Sequence, residues 1–268
     1  MTSLADRTIA ALRDNRDDLA ARVRRFSPAD LDRMSGSREW DVAQVLSHLG
    51  SGAEIGLEGL RRALAGQEAP PGDFNQGVWD RWNAMSQQEK ADGFLEASER
   101  LLAAYEALDA QTRQDFRISL GFLPAPVDLA TLTGMRLNEA LFHAWDVRVA
   151  FDPQASIPGT LAEVLLEQYR GPVGFFLRFL GRTGALEGRQ LTLLVRTSDP
   201  EHSLGLALTD AVSMTEVPAE PDGVLTIPTE ALLRLWSGRL AAEHTPAGVE
   251  LVSASVTLDE MRAVFPGI

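Results

Sequence analysis

The stretch Asp41-Val-Ala-Gln-Val-Leu-Ser-His-Leu-Gly50 decides the fold. Asp41 followed by Gln44 three residues later is a variant of the capping box, which satisfies free N–H groups at the start of a helix. Apolar residues then recur at helical spacing, and they predict a helix that ends near Gly66. The recurring face consists of Val42, Val45, Leu46, Leu49, Ala53, Leu57, Leu60 and Leu64.

Three further helices are predicted around this one. Residues 4–25 carry apolar side chains at helical spacing among many charged ones. A long helix is predicted from about Val78 to Leu108, and a fourth from about Val127 to Phe151, where Asp152-Pro153 ends it. Four helices joined by short breaks indicate a helical bundle.

The pattern changes after residue 153. A helix from Thr160 to Leu180, kinked at Gly171-Pro172, leads into short β-prone segments bounded by Gly, Pro or Asp. These segments are Leu191–Arg196, Leu204–Leu208, Val212–Val217, Val224–Ile227 and Val249–Val256, with helical pieces at Glu230–Trp236 and Leu258–Phe265. We therefore predict an α plus α+β protein, with a helical bundle at residues 1–153 and a smaller α+β domain at residues 154–268.

Composition excludes several classes of protein. The chain of 268 residues is longer than one small core needs, and 45% hydrophobic with 24% charged residues is typical of a globular protein. A net charge of −13 repels phosphate backbones and anionic membranes, so we expect neither nucleic acid nor a membrane as a partner. The first residues lack an apolar signal core, and we expect a cytoplasmic location.

Cysteine is absent from the sequence. The chain therefore has no disulfide framework, no cysteine-ligated metal and no internal thiol nucleophile. Any thiol chemistry would need a thiol from outside.

The fourth predicted helix carries an unusual polar stripe. Arg136, Glu139, His143 and Asp146 fall within roughly 80° of one another around the helix axis, where a bundle normally places leucine. Burial of ionisable groups costs several kcal/mol each unless they are paired or bind an ion. The stripe therefore needs a compensating partner, although a hydrogen-bonded ladder or a solvated face would also explain it.

A metal ion is one such partner. Glu139 and His143 lie four residues apart, so their side chains can converge on one ion, and a catalytic site needs at least a third ligand. His48 lies at the edge of the apolar stripe of its own helix, where a bundle can bring it opposite His143. His202 and His244 lie in turn-like sequence, and we expect them to be solvated rather than ligands.

Two motifs carry a family resemblance. Trp40–Leu49 matches W-x-V-x-x-V-x-x-H-L, and the segment Arg136–Val147 contains R-x-x-E-x-x-x-H-x-x-D, from Arg136 to Asp146. In this order and at this separation they resemble the mycothiol-dependent maleylpyruvate isomerase family, within the DinB-like four-helix bundles. The resemblance implies that His48, Glu139 and His143 bind a divalent metal, usually zinc, with a thiol or water completing the shell.

A weaker resemblance covers the second domain. Leu232–Leu240 is similar to the L-x-x-L-x-x-G-R segment of the smaller, sterol-carrier-like α+β domain of these enzymes. The match places Arg239 where the isomerase has an arginine implicated in substrate handling. A helix C-cap at Gly238 explains the same segment without any function, so both interpretations stay open.

The resemblance implies an enzyme that uses mycothiol as a thiol cosubstrate. The metal holds the thiol as thiolate, which adds to a small electrophile such as a maleyl or related carboxylic acid, and the outcome is isomerisation or S-transfer. Arg239 would pair with a substrate carboxylate. Asp146 is a candidate acceptor for a ligand imidazole N–H, and Arg136 a candidate to fix Glu139, with ordinary ion pairs as the alternative.

Two other functions are compatible with the same residues. A hydrolase would keep the metal and use zinc-bound water on an amide or ester. A non-enzymatic binding or regulatory module would hold a structural ion or none. No residue in the sequence decides among the three, and the oligomeric state is equally open.

Overall fold

The structure, a computed structural model, describes residues 2–267. Met1 and Ile268, the outermost residues of the two predicted domains, lie outside the described residues. The chain divides into two compact units, one ending at Asp152 and the other beginning at Pro153. In the part of the chain that the structure describes, no helix is long and apolar enough to cross a membrane.

Four long helices dominate residues 2–152. Helix α3 packs against α5 and α7, and α1 packs against α7 and α5, as in a helical bundle. The long helices are α1 (Leu4–Val23), α3 (Val42–Leu64), α5 (Gln87–Glu106) and α7 (Leu129–Val149), and the shorter ones are α2 (Pro28–Leu31), α4 (Phe74–Asn83) and α6 (Ala110–Asp115).

Helix α3 begins as the sequence predicts. The Asp41 side chain accepts the Gln44 backbone N–H at 2.7 Å, and the Gln44 side chain accepts the Asp41 N–H at 2.8 Å. Its predicted apolar face is buried except near the end, where Leu57 is half-buried and Leu64 exposed. Side chains of α1, α3, α5 and α7 share one apolar core. The start and the buried face of this helix are therefore confirmed.

The prediction of one helix from Val78 to Leu108 is wrong. The chain forms α4 and α5 instead: α4 ends at Asn83 with Ala84 as its C-cap, and Ser86 is the N-cap of α5. The Glu89 carboxylate accepts the Ser86 backbone N–H at 2.8 Å, and the Ser86 hydroxyl accepts the Glu89 N–H at 3.4 Å. This capping box satisfies N–H groups that a continuous helix would have bonded internally.

The second unit contains one mixed sheet within its described residues. The strand order is β3-β2-β1-β4-β5, with β1 and β4 parallel and the other neighbours antiparallel. The elements are α8 (Gly159–Arg170), α9 (Phe176–Leu180), β1 (Leu191–Ser198), β2 (His202–Leu208), β3 (Val212–Thr215), β4 (Gly223–Pro228), α10 (Thr229–Trp236), β5 (Glu250–Ser253) and α11 (Leu258–Val264). An all-helical unit followed by an α+β unit confirms the predicted fold class.

The predicted helix from Thr160 to Leu180 is broken rather than kinked. Helix α8 ends at Arg170, and α9 begins only at Phe176. Pro172 has no N–H to donate and cannot continue the helix, so the chain turns between the two elements. At Gly174 a Cβ atom would lie 2.6 Å from the Tyr169 carbonyl oxygen, so the turn also depends on a residue without a side chain.

Candidate metal centre

Helices α3 and α7 bring three potential ligands together. His48 lies on α3, and Glu139 and His143 lie one turn apart on α7. One Glu139 oxygen, Oε2, is 3.2 Å from Nε2 of His48 and 3.6 Å from Nε2 of His143. The candidate ligand atoms of all three side chains lie within 4.8 Å of one another. The structure therefore assembles the histidine and carboxylate set on which the sequence analysis depends.

The donor set fits a divalent metal. Ligand atoms about 2.0–2.1 Å from a tetrahedral zinc ion are about 3.3 Å apart, close to the two separations measured here. Two imidazoles and one carboxylate are ligands that zinc accepts, and three protein ligands leave a position open, as in catalytic zinc sites. The remaining position could take a small molecule.

Asp146 contacts the ring nitrogen of His143 that does not face Glu139. Its carboxylate is fully buried and lies 2.9 Å from Nδ1 of His143. A carboxylate on one ring nitrogen fixes the tautomer and leaves the other nitrogen free to bind a metal. The contact that the sequence analysis considered for Asp146 is present.

The electrostatics favour an ionised Glu139. Burial raises the pKa of its carboxyl group, but a hydrogen bond with His48 and the positive charges of nearby groups outweigh that effect. The result is a pKa of about 2. Glu139 is therefore a carboxylate at neutral pH, the form in which it can bind a cation.

The predicted ion pair between Arg136 and Glu139 is not formed. The Nη2 atom of Arg136 donates to the backbone carbonyl of Leu49 at 2.7 Å, and no ion pair joins Arg136 to Glu139 among residues 2–267. Burial lowers the pKa of Arg136, although an arginine stays charged in a protein. The guanidinium thus ties α7 to α3 at the residue after His48.

Trp40 covers both imidazoles. Its ring centroid lies 5.2 Å from that of His48 and 5.9 Å from that of His143, on which it is stacked. The two imidazole centroids are 4.6 Å apart. Trp40 begins the first of the two family motifs, from which no role for its side chain was predicted, and the structure places it against the site.

A cavity of about 520 Å³ opens beside His48. Its walls include three tryptophans, Trp40, Trp79 and Trp82, and the side chain of Lys90. Sequence reasoning missed Trp79, Trp82 and Lys90. Two signals could have found them: Trp79 and Trp82 share one face of a helix at a spacing of three, and Lys90 is the only lysine in the chain.

Arg239 lies in the second unit, just after α10. Gly238 has a φ of +74°, and its N–H bonds the Leu235 carbonyl at 3.1 Å. The Arg239 N–H bonds the Arg234 carbonyl at 2.7 Å, which completes a Schellman cap. The cap explains the glycine. A catalytic role for the Arg239 side chain, whose Nη1 donates to the Ser237 carbonyl at 3.1 Å, stays a prediction.

The two remaining histidines lie away from any ligand cluster. His202 is the first residue of β2 rather than part of a turn; it is half-buried, and burial lowers its pKa. His244 lies in a 3-10 turn, and its Nδ1 is 3.3 Å from the Pro153 carbonyl. Across the described residues, neither belongs to a group of potential metal ligands.

The fold and the site define a class: a helical-bundle protein with a candidate three-ligand metal centre, followed by an α+β unit. The family model described as mycothiol maleylpyruvate isomerase N-terminal domain matches residues 12–148, and the chain belongs to this family. A comparison with curated protein sequences gave no match.

Two solved structures resemble the chain over nearly its whole length. They are crystal structures of the mycothiol-dependent maleylpyruvate isomerase, at 14% identity, and of an alanine mutant of a histidine in that enzyme, at 13%. Each has a TM-score of 0.64 and covers 96% of this chain and 98% of its own. The likeness shows that the chain has the fold of these proteins.

Proposed function

We propose that this protein is a metal-dependent enzyme that uses mycothiol to act on a small electrophilic substrate, by cis–trans isomerisation or S-transfer. The observation that carries the proposal is the convergence of His48, Glu139 and His143 from two helices of a bundle in this family.

His48, Glu139 and His143 would hold the metal, and zinc is the first candidate because it accepts two imidazoles and a carboxylate with one position left open. When bound, the metal supplies a positive charge that lowers the pKa of an adjacent thiol, so that thiolate is present near neutral pH. The thiol must come from outside, because the chain has no cysteine.

The chain's own residues prepare the site for this chemistry. Asp146 holds His143 so that Nε2 is directed towards Glu139, and the Trp40 ring limits access of water to the imidazoles on its side. The adjoining cavity has room for a small molecule. Arg239 is proposed to bind a substrate carboxylate, as two parallel N–H···O bonds would allow.

The proposed reaction begins with addition of the thiolate sulfur to an activated carbon–carbon double bond. The new carbon–sulfur bond leaves a single bond about which the adduct rotates. Expulsion of the sulfur with its bonding electron pair then restores the double bond in the other geometry and regenerates the thiolate. If the adduct takes up a proton and leaves instead, the net reaction is S-transfer.

Metal content and thiol dependence together test this proposal. We expect the purified protein to bind zinc stoichiometrically and His143→Ala to lose it, whereas His244→Ala, a histidine outside the site, retains it. With zinc, mycothiol and a maleyl acid, isomerisation changes the ultraviolet spectrum without net loss of thiol, and S-transfer consumes thiol. Absence of metal, or zinc-dependent turnover of an ester that ignores mycothiol, would contradict the proposal.

A further inference from the structure

The only lysine of the chain, Lys90, lines the same cavity as His48. The residues that line this cavity include no aspartate or glutamate. No carboxylate of residues 2–267 forms an ion pair with Lys90 either. The cavity wall therefore includes a lysine that forms no ion pair with any described residue.

The charge of Lys90 is opposite in sign to the net charge of the protein. At −13 the chain repels an anion on average, so an anionic ligand needs a local cation at its binding site. The nearby Arg81 does not supply one, because it is paired with Glu54. Lys90 is therefore the group in this wall that can attract a carboxylate.

Helix stability does not explain a lysine at this position. The Lys90 N–H bonds the carbonyl of the N-cap residue Ser86 at 3.0 Å, which places Lys90 in the first turn of α5. Positive side chains are unfavourable near the N-terminus of a helix, where the backbone dipoles already present positive charge. Glu89, one residue earlier, is the type of residue that this position favours.

The aromatic walls indicate the shape of the ligand. Trp79 keeps 44% of its surface exposed, which is unusual for so large an apolar side chain, while Trp82 is buried and donates its indole N–H to Glu54 at 3.0 Å. Flat, conjugated groups pack well on tryptophan faces. Trp40, against the two imidazoles, adds a third aromatic surface at the metal centre.

We propose that this cavity is the substrate site and that Lys90 selects its substrate: a flat, conjugated carboxylic acid. The ammonium group of Lys90 pairs with the carboxylate, and the unsaturated part of the acid packs against Trp79 and Trp40, on the side of the cavity that His48 lines. The inference rests on the proposed function, because it places the activated double bond beside the metal centre.

The test compares a matched pair of probes on the zinc-loaded full-length protein. Cinnamate is a flat conjugated acid, and cinnamamide has the same shape without the charge. By calorimetry we expect Lys90 to add a preference of about two- to fivefold for cinnamate in the parent, as one partly screened ion pair would give. Lys90→Gln should reduce this preference to the part that zinc alone gives. Lys90→Arg should keep the whole preference, as should Arg100→Gln, an exposed arginine on the same helix.

A single lysine permits a second readout that does not depend on activity. Trinitrobenzenesulfonate modifies amines, and mass spectrometry of the peptide that contains Lys90 separates its modification from that of the α-amino group. Cinnamate should slow modification of Lys90 several-fold, and cinnamamide should not.

Each outcome supports or overturns the inference. An unchanged preference in Lys90→Gln overturns it, as does a preference lost in Arg239→Gln but kept in Lys90→Gln. Bound zinc attracts carboxylates equally in both proteins, so the difference between parent and Lys90→Gln reports on Lys90. Metal content, measured in parallel, separates the two proposals: a parent without metal contradicts the proposed function, whereas a metal-loaded parent that does not distinguish the probes contradicts only this inference.

Discussion

The carboxylate of Asp146, fully buried, lies 2.9 Å from Nδ1 of His143, and Nε2 of the same ring lies 3.6 Å from Glu139. All three residues belong to α7. A single helix therefore supplies two candidate ligands and the group that orients one of them. This arrangement explains why the polar stripe of α7 is tolerated inside a bundle, because each member has a partner on α7 or on α3.

The first prediction concerns Asp146. Asp146→Asn keeps the shape of the side chain but removes the negative charge behind His143, and we expect metal affinity to fall about 10–100-fold. Competition with a chromophoric chelator measures the change. Asp14→Asn, which alters an exposed aspartate on α1, should leave the affinity unchanged. Equal affinities in Asp146→Asn and the parent would show that Asp146 has no part in metal binding.

Local signals made part of this site predictable from the sequence. Glu139, His143 and Asp146 lie within two turns of one helix, so their spacing alone places them on one face. The capping box at Asp41 is equally local, and it sets where α3 begins. His48 is different, because it reaches Glu139 only through the packing of α3 against α7. The helical spacing of α3 made a contact between His48 and Glu139 possible, and only the family motif implied that it forms.

The parts that were not predicted depend on tertiary packing or on a weak local signal. Ser86 and Glu89 form a capping box that was legible in the sequence, but the apolar spacing on both sides of it favoured one continuous helix. Without that break, Trp79 and Lys90 belong to one predicted helix, and nothing indicates that they line one cavity with His48. Such a cavity depends on the relative placement of three helices, which periodicity does not specify.

The second prediction concerns the fit of Trp82 between α3 and α5. A Cβ atom at Gly50 would lie 2.2 Å from Cη2 of the Trp82 ring, and one at Gly93 would lie 2.9 Å from it. We expect Gly50→Ala to destabilise the protein by about 1–2 kcal/mol, because overpacking outweighs the better helix propensity of alanine. Urea unfolding measures this change.

Two comparisons make the Gly50 result specific. Gly56→Ala, on the same helix, places a Cβ at 3.5 Å from Leu101, an ordinary contact, and should be neutral or stabilising. In a Trp82→Leu background the clash is absent, so Gly50→Ala should cost little there. An equal cost in both backgrounds would mean that Trp82 is not the cause.

The third prediction is a dependence of stability on alkaline pH. Burial raises the pKa of Tyr105 to about 12, although the charge of Arg136 opposes this effect. A folded-state pKa above the ordinary 10.0 means that the folded protein keeps a proton that the unfolded chain loses. The associated stability is fully present below pH 10 and falls as the pH rises towards 12, by up to about 3 kcal/mol.

Tyr105→Phe isolates this contribution. Urea unfolding of the parent and the variant at several pH values between 8 and 12 gives the two dependences. We expect the parent to lose more unfolding free energy than the variant above pH 10, while the difference between them stays constant below pH 9. Parallel curves over the whole range would contradict the assignment to Tyr105.

The last prediction concerns the buried ion pair of the second unit. Glu230 and Arg234 are joined by two hydrogen bonds of 2.8 Å, and Arg234 also donates to the His244 carbonyl at 2.8 Å. Removal of one charge leaves the other buried without its partner, so we expect Glu230→Gln to destabilise the protein by about 3–5 kcal/mol.

Replacement of both residues by leucine removes both charges and should cost less than Glu230→Gln, since no unpaired charge remains. Urea unfolding of the single and double variants provides the comparison, with Glu96→Gln, from an exposed pair on α5, as a control that should change stability by less than about 1 kcal/mol. A double variant less stable than Glu230→Gln would contradict this prediction. It would show that the hydrogen bonds of the pair to the His244 carbonyl and from the Ile157 N–H outweigh the compensation of charge.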